Sequence, residues 1–467
     1  MTAPVKRVLV RGGGIAAPMA ALAISRAYGR LGVEVIWHDT AETAPPLAAL
    51  IAPPDLATFH KLLGIDEKAL VCGAAATVNL GQQFAGWSGN DGAFLHAYGD
   101  AGTPYASLPF LQYWTRARAR GLQVALEEFC LAAAAAKQGR VGEPAAGQAL
   151  KRGWHLDAAG YARVLRAGCE RSGVRIAVEE GQPADADLIV DAGGARTGDT
   201  VTESMNDGSP ACDRILRGSG PVFEPLPPYS RVTAHRAGWL TLIPLADRTA
   251  AEFAFSSAHM SDEDARTALR AMTGGRITIA DFAEPLRVGT CLRPWVDNIV
   301  AIGPSAVRTL PLDGAELLLL QLAIAQLILL WPIDRSDMQE AEIYNLEMGG
   351  TYARVQDFTA QHFRLNARIE PFWRDARAAP VSAELAAKIE LFAARGLLAH
   401  CNHEAHVEDS WAMCMAGHGL IPRSFDPQAA RVEERALMTE FQRQLGAIAT
   451  AVRAMPSHSE ALEQVRK

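Results

Sequence analysis

Residues 11–17 read RGGGIAA, which sets Gly12, Gly14 and Ala17 at the spacing G-x-G-x-x-(G/A). In that pattern the first glycine permits a tight turn and the second lets a pyrophosphate approach the backbone. The third small residue lets the following helix pack closely on the strand. Asp39 stands roughly 20 positions on, where a carboxylate can accept from a ribose hydroxyl. The chemistry this spacing predicts is dinucleotide binding; a Rossmann-type unit kept only as scaffold would retain the same residues. Arg11, directly before the glycines, is foreign to the pattern. A second group, AHCNHEAHVED (399–409), holds the metal-ligand types His400, Cys401, His403 and His406, with the last two on one face if helical. Without a second cysteine pair or HExxH spacing it reads as surface histidines, and no metal is expected. TRARARG (115–121) reads as a solvated basic helix face. A serine hydrolase is unsupported, because no G-x-S-x-G elbow occurs.

A nucleotide turn needs a buried strand before it, a small-residue helix after it and a second strand beside it. VLV (8–10), a helix over about 17–30 and VEVIWHD, ending in Asp39, supply these. ADLIVDAGG (186–194) and NIVAIG (298–303) are two more apolar strands that end in glycine, far apart in sequence. The spacing predicts a nucleotide domain interrupted twice by β-rich insertions. HLDAAGYARVLRAGCERSGVRI (155–176) predicts a helix capped by Asp157 and then a strand. Residues 41–56 read as a loop or strap, TVNLGQQFAGW (77–87) as a strand, 132–150 as a partly mobile surface excursion and 231–257 as antiparallel strands. From residue 336 onward the pattern is helical.

The 467 residues suit two or three domains. A net charge of −7 gives no reason to expect nucleic acid or an anionic membrane as partner. Seven scattered cysteines and an N-terminus without an apolar leader point to the cytoplasm. The greasiest run, LLLLQLAIAQLILLW (317–331), is short for a membrane span and carries two glutamines, so it reads as a buried helix.

Taken in order, RGGGIAAPMAA, HLDAAGYARVL, IVDAGGARTG, GWLTLIPL with FAFSS, LRPWVDNIVAIGPSAVRTLPLDGAELLLLQLAIAQLILLWP, YNLEMGGTYARVQDFTAQHF with PFWRDAR, AGHGLIP and AMPSHSEAL are similar to segments of the FAD-dependent tryptophan halogenases. The resemblance spans nearly the whole chain. It implies a mixed α/β fold, with an FAD-binding Rossmann-like domain of the glutathione-reductase/hydroxybenzoate-hydroxylase type formed by residues 1–45, 150–205 and 285–335. A β-rich substrate-side domain (46–149 and 206–284) and a C-terminal helical cap (336–467) complete it. Gly12, Gly14, Ala17, Asp39, Asp191 and Gly303 then fall at cofactor positions. Trp114, Trp239 and Trp411 fall in segments that line or cap the substrate pocket, and Phe363, Phe372 and Trp373 do likewise. The implied partners are a small electron-rich aromatic and a separate flavin reductase; a homodimer is compatible.

The same comparison exposes departures. In the family a lysine holds the oxidant on its way to the substrate, and here that position is Asn79, which has neither charge nor nucleophilicity. Its bland role is to satisfy strand neighbours. The family glutamate is Asp313, whose plain alternative is a solvated cap of the greasy helix. The halide loop reads Gly314, Ala315, Glu316, which puts a carboxylate where an anion should sit. Thr241 replaces the second tryptophan of W-x-W-x-I-P, and the flavin strap near 48–53 reads ALIAPP. Two functions stay open at this point. One is a flavin-dependent oxidoreductase, a monooxygenase or an unusual halogenase; the other is a non-catalytic binding or regulatory protein on the same scaffold.

Overall fold

The computed structural model describes residues 3–40, 47–89, 91–142, 150–177, 186–193, the backbone of 201–202, and 212–467. Gly194 of the IVDAGG run lies outside them.

Val8, Leu9 and Val10 are buried on both faces, as a central strand of a parallel sheet must be. The strand Arg7–Arg11 pairs in parallel with Glu34–His38 on one side and Leu188–Asp191 on the other. Arg175–Ala177 and Ile299–Ala301 extend this sheet in parallel, and Trp295–Val296 closes it antiparallel, giving six strands. The three strand–glycine segments read from the sequence are therefore neighbours. The helix Ala16–Tyr28 follows the glycine turn and buries every residue from Ala16 to Ser25. Asp157 caps Ala158–Arg171 by accepting from Gly160 N–H at 2.7 Å.

A second sheet of eight strands contains Ser230–His235, Gly238–Pro244 and Thr249–Phe255, the antiparallel run expected from 231–257. The helical C-terminal region also matches the sequence reading, beginning with the 25-residue helix Glu340–Arg364. Among the described residues, no helix is long and apolar enough to cross a membrane; the greasy run forms the largely buried helix Ala315–Leu329.

Five expectations need correction. Residues 49–52, expected in a strap, form a strand paired with Gly153–Asp157, and Leu56–Leu63 is a helix. The small apolar side chains of ALIA suit an edge against packed neighbours better than a loop. TVNLGQQFA is two strands in two sheets, Thr77–Asn79 and Gly81–Ala85, broken at Leu80. The alanine run expected on the surface forms the helix Leu131–Lys137, with Ala132, Ala133, Ala135 and Ala136 buried. In the basic patch Arg116 is buried and donates to the carbonyls of Ala429 and Val432, so it is a packing residue. The 399–409 segment is not helical before Glu408, and His406 stacks on Phe358 with ring centroids 3.7 Å apart.

Three buried imidazoles make the fold acid-sensitive. His458 accepts from Val78 N–H at 3.0 Å, His155 lies 3.0 Å from Thr77 Oγ1, and His60 lies 2.7 Å from the Tyr161 hydroxyl. Burial lowers His60 and His458 to about 4 and His155 well below its ordinary value. With folded values below the unfolded 6.5, the unfolded chain binds more protons as pH falls from 6.5 toward 4, and stability drops with it. Each contributes about 1.4 kcal/mol per pH unit in that window. Denaturant titration should therefore register a loss of a few kcal/mol between pH 7 and pH 5; equal stability at the two values would contradict neutral burial.

Candidate functional site

The glycine turn is pinned from both sides. Gly12 N–H donates to the His38 carbonyl at 3.2 Å, and Trp37 Nε1 donates to the Gly12 carbonyl at 2.8 Å. Gly12 has φ +131°, and a Cβ there would lie 2.7 Å from Gly193 N, so the first and second glycine segments touch. Gly14 has φ +61°, and a Cβ there would meet nothing within 4 Å. That open space is the near end of a cavity of about 330 Å³. The helix N-terminus at Ile15–Ala16 opens on it, and no side chain among the described residues caps that helix. Backbone N–H groups without a side-chain acceptor form a ready cradle for an anion.

Of the residues singled out in the sequence, Gly14, Gly303, Gly314, Ala315 and Glu316 line this cavity, and Gly12 shapes its edge. Ala17 is buried inside the helix. Asp191 is occupied elsewhere. Its carboxylate takes Arg11 at 3.3 Å, the Gly193 N–H at 3.2 Å and the Ser305 hydroxyl at 3.0 Å, tying three segments together beneath the cavity. This also explains Arg11, the residue foreign to the motif. Asp39 accepts from Arg166 at 2.6 Å, and that guanidinium lies over Trp37.

Beside Glu316, already singled out from the sequence, stand charges that the sequence did not flag. Arg217 pairs with Glu252 at 3.1 Å and with Glu284 at 2.6 Å, beside Thr241. Glu316, in the first turn of Ala315–Leu329, is an exposed side chain that lines the cavity. Desolvation by the surrounding protein raises its pKa first and Glu252 raises it further, while Arg217 opposes both. No spacing rule could have linked 217, 252 and 284; the sheet register does.

The wall beyond Gly314 carries a buried polar cluster. Asp313 has φ +57° and is 5% exposed, so the solvated cap considered from sequence is not what forms; Gly314 is the N-cap instead. The Asp313 backbone N–H donates to Gln82 Oε1 at 2.8 Å, and Gln82 in turn donates to Ser230 Oγ. The Asp313 carboxylate lies 3.3 Å from His362 Nε2 and 3.7 Å from His96 Nδ1. Burial alone would raise this carboxyl, but His362 and then His96 outweigh it and hold it far below the usual carboxylate range. Asn79 belongs to the same neighbourhood. It donates to the Tyr98 hydroxyl at 3.0 Å and accepts from Gly81 N–H at 3.0 Å, bridging the break between the two sheets. Tyr98 is raised by burial and next by Asp313. Both ends of the Asn79 amide are therefore engaged in fold contacts.

The tryptophans do not converge. Trp239 is buried with Trp87, Phe363 and Trp373, Trp411 packs edge-on against Phe358, and Trp114 donates to the Val124 carbonyl in a separate part of the core. A larger cavity of about 880 Å³ lies on the other side of Tyr98, lined also by Phe110, Phe129, Asp409 and Arg443.

A parallel nucleotide-type sheet, a glycine cradle at its carboxyl edge and a second sheet facing the cavity define a two-layer α/β dinucleotide-binding protein with a helical cap. The tryptophan halogenase family model matches residues 7–180 and 175–434. The chain belongs to that family. It is 27% identical to tryptophan 7-halogenase KtzQ of Kutzneria sp. (strain 744) over 96% of each chain. Its structure superposes on BrvH, a flavin-dependent halogenase from Brevundimonas sp. BAL3, with a TM-score of 0.91, 27% identity and 99% of each chain covered. Xcc4156, a flavin-dependent halogenase from Xanthomonas campestris, gives a TM-score of 0.91 at 26% identity, again over 99% of each chain.

Proposed function

We propose that this protein binds FAD in the glycine-lined cavity and oxygenates an electron-rich aromatic, and that halogenation is not its reaction. The six-stranded sheet, built from parts of 1–45, 150–205 and 285–335, is the FAD-binding domain in this reading. The residues fit the group. The open space at Gly14, the uncapped helix start and the close Gly12–Gly193 approach leave backbone donors facing a void shaped for a diphosphate. Reduced FAD bound there, delivered by a separate reductase, supplies the two electrons that activate molecular oxygen for attack on the ring.

The observation that carries the choice is Glu316 standing in the cavity opposite Glu252. A unit charge within about 6 Å at an effective dielectric of about 20 is worth close to 3 kcal/mol against an anion such as chloride. Asn79, spent on Tyr98 and Gly81, offers no ammonium to hold a halogen oxidant. Asp313 remains as the carboxylate able to take the ring proton or stabilise positive charge on the ring. The Arg166–Asp39 pair favours a second reading, a binding protein with weakened ribose recognition.

The test is turnover with reduced FAD, oxygen, bromide or chloride and a set of indoles and phenols, read by product mass. A hydroxylated product without halogen supports the proposal, and a halogenated one overturns it. Flavin binding without any product favours the second reading. Asn79→Lys alone should still give no halogenated product, because Glu316 stays in place; halogenation by that variant would refute the charge argument.

A further inference from the structure

We propose that Asp313, His362 and His418 form a buried proton relay that takes a proton up at His362 Nε2 and passes it out at His418 Nδ1. This rests on reading Asp313 as a site residue, but its geometry stands without the flavin. His362 Nδ1 and His418 Nε2 are 2.8 Å apart, a hydrogen bond between two imidazoles, so one proton lies between the rings. On the far side His362 Nε2 faces Asp313 Oδ2 at 3.3 Å. That contact makes no hydrogen bond in the resting geometry, and the charge of an imidazolium would draw the pair together.

The side chains are locked for this task. Phe84 stacks on His362 with centroids 4.3 Å apart and planes 11° from parallel, and Phe94 packs edge-on against His418. His418 Nδ1 is buried and has no partner among the described residues, which leaves it as the open end of the chain. The exposed Gly419 follows it directly.

The proton count closes. A proton that reaches the Asp313 carboxylate passes to the Nε2 lone pair of a neutral His362 protonated at Nδ1. The imidazolium then lies against the carboxylate, satisfying a buried charge that would otherwise cost several kcal/mol. Transfer of the Nδ1 proton to His418 Nε2 moves the charge outward, and loss of the His418 Nδ1 proton completes the passage. One proton enters, one leaves, no electron moves, and both rings end in the other tautomer, from which the pair must be reset before the next passage. Other groups face the cluster. His96 and Tyr98 approach from the strand side, His406 and Cys414 from the cap segment, and Lys388 acts through His406. Burial and then His362 hold His418 below its ordinary value, which places the resting charge on the Asp313 side.

The experiment is NMR of the full chain labelled with ¹⁵N-histidine, without flavin, titrated from pH 5 to 9. The relay requires that His362 and His418 share one strongly deshielded proton and take up a single proton as a coupled pair. Asp313→Asn should weaken that uptake at least tenfold, moving it down by a pH unit or more. His418→Gln should remove the deshielded proton while His362 still responds to Asp313. Two rings that titrate independently in the wild-type protein, or stay in one fixed tautomer throughout, would overturn the relay whatever the variants do. Because no flavin is present, this result is separate from failure of the FAD proposal.

Discussion

Gly12→Ala should abolish measurable flavin binding and lower stability by about 3 kcal/mol or more, whereas Gly14→Ala should cost little stability and still weaken flavin at least a hundredfold. At Gly12 the φ of +131° is open essentially to glycine alone, and a Cβ would sit 2.7 Å from Gly193 N and 2.8 Å from Ala192 C. Both obstacles are backbone and cannot rotate away. Strain of roughly 1–3 kcal/mol adds to the displacement of the adjoining strand end. At Gly14 the Cβ meets nothing, so the left-handed φ alone costs about 1 kcal/mol. The methyl group would occupy the space through which a diphosphate approaches the helix start. A hundredfold loss corresponds to about 2.7 kcal/mol of binding. Thermal melts and flavin titration on the two variants check the pair. Undiminished binding by Gly14→Ala would remove the cradle from the account.

Asp313→Asn should keep the fold and lower aromatic turnover by roughly 10²–10⁴-fold, the usual worth of a positioned acid–base group. Asparagine has the same size and tolerates the left-handed φ of +57° at this position, so backbone strain does not change. What disappears is the charge that His362 and His96 hold ionised. A stability change is not the mark of this prediction; the rate at saturating aromatic is. Turnover equal to the wild type, with flavin bound, would assign Asp313 a purely structural part. The wild-type rate should not fall through Asp313 protonation at any pH the fold survives, because its carboxyl is held far below the usual range while the buried histidines unfold the chain first.

The nucleotide half of the fold was legible in the sequence because its signals are local. Three apolar strands ending in glycine, a small-residue helix and the Asp157 cap each announce themselves within a few residues, and all five appear where expected. Where the reading failed, tertiary packing decided. Nothing local marks Leu80 as the point where one apparent strand passes between two sheets, although Gly81 hinted at it. A Cβ there would lie 2.2 Å from the His96 carbonyl. The alanines of 132–136 looked like a soluble excursion because alanine carries no burial signal of its own.

The candidate site divides in the same way. Gly14, Gly303 and the 314–316 loop came from motif and resemblance, and they share one cavity. The Arg217–Glu252–Glu284 group and the His96–His362–His418 cluster were invisible. Their members lie far apart in the chain, and only sheet register and helix packing bring them together. His406 was misread as a surface histidine because His and Cys among polar residues resemble a solvated turn. Its ring instead covers Phe358 and faces the Asp313 cluster.

The most direct test of the central claim is titration of the intact protein with FAD in its oxidised and its reduced form, by calorimetry and flavin fluorescence. The account expects micromolar or tighter affinity in at least one redox state. It also expects Glu316→Gln to strengthen the reduced, more negative form more than the oxidised one. No binding of either form up to about millimolar, a free energy near −4 kcal/mol, would contradict it and leave the glycine cradle as scaffold.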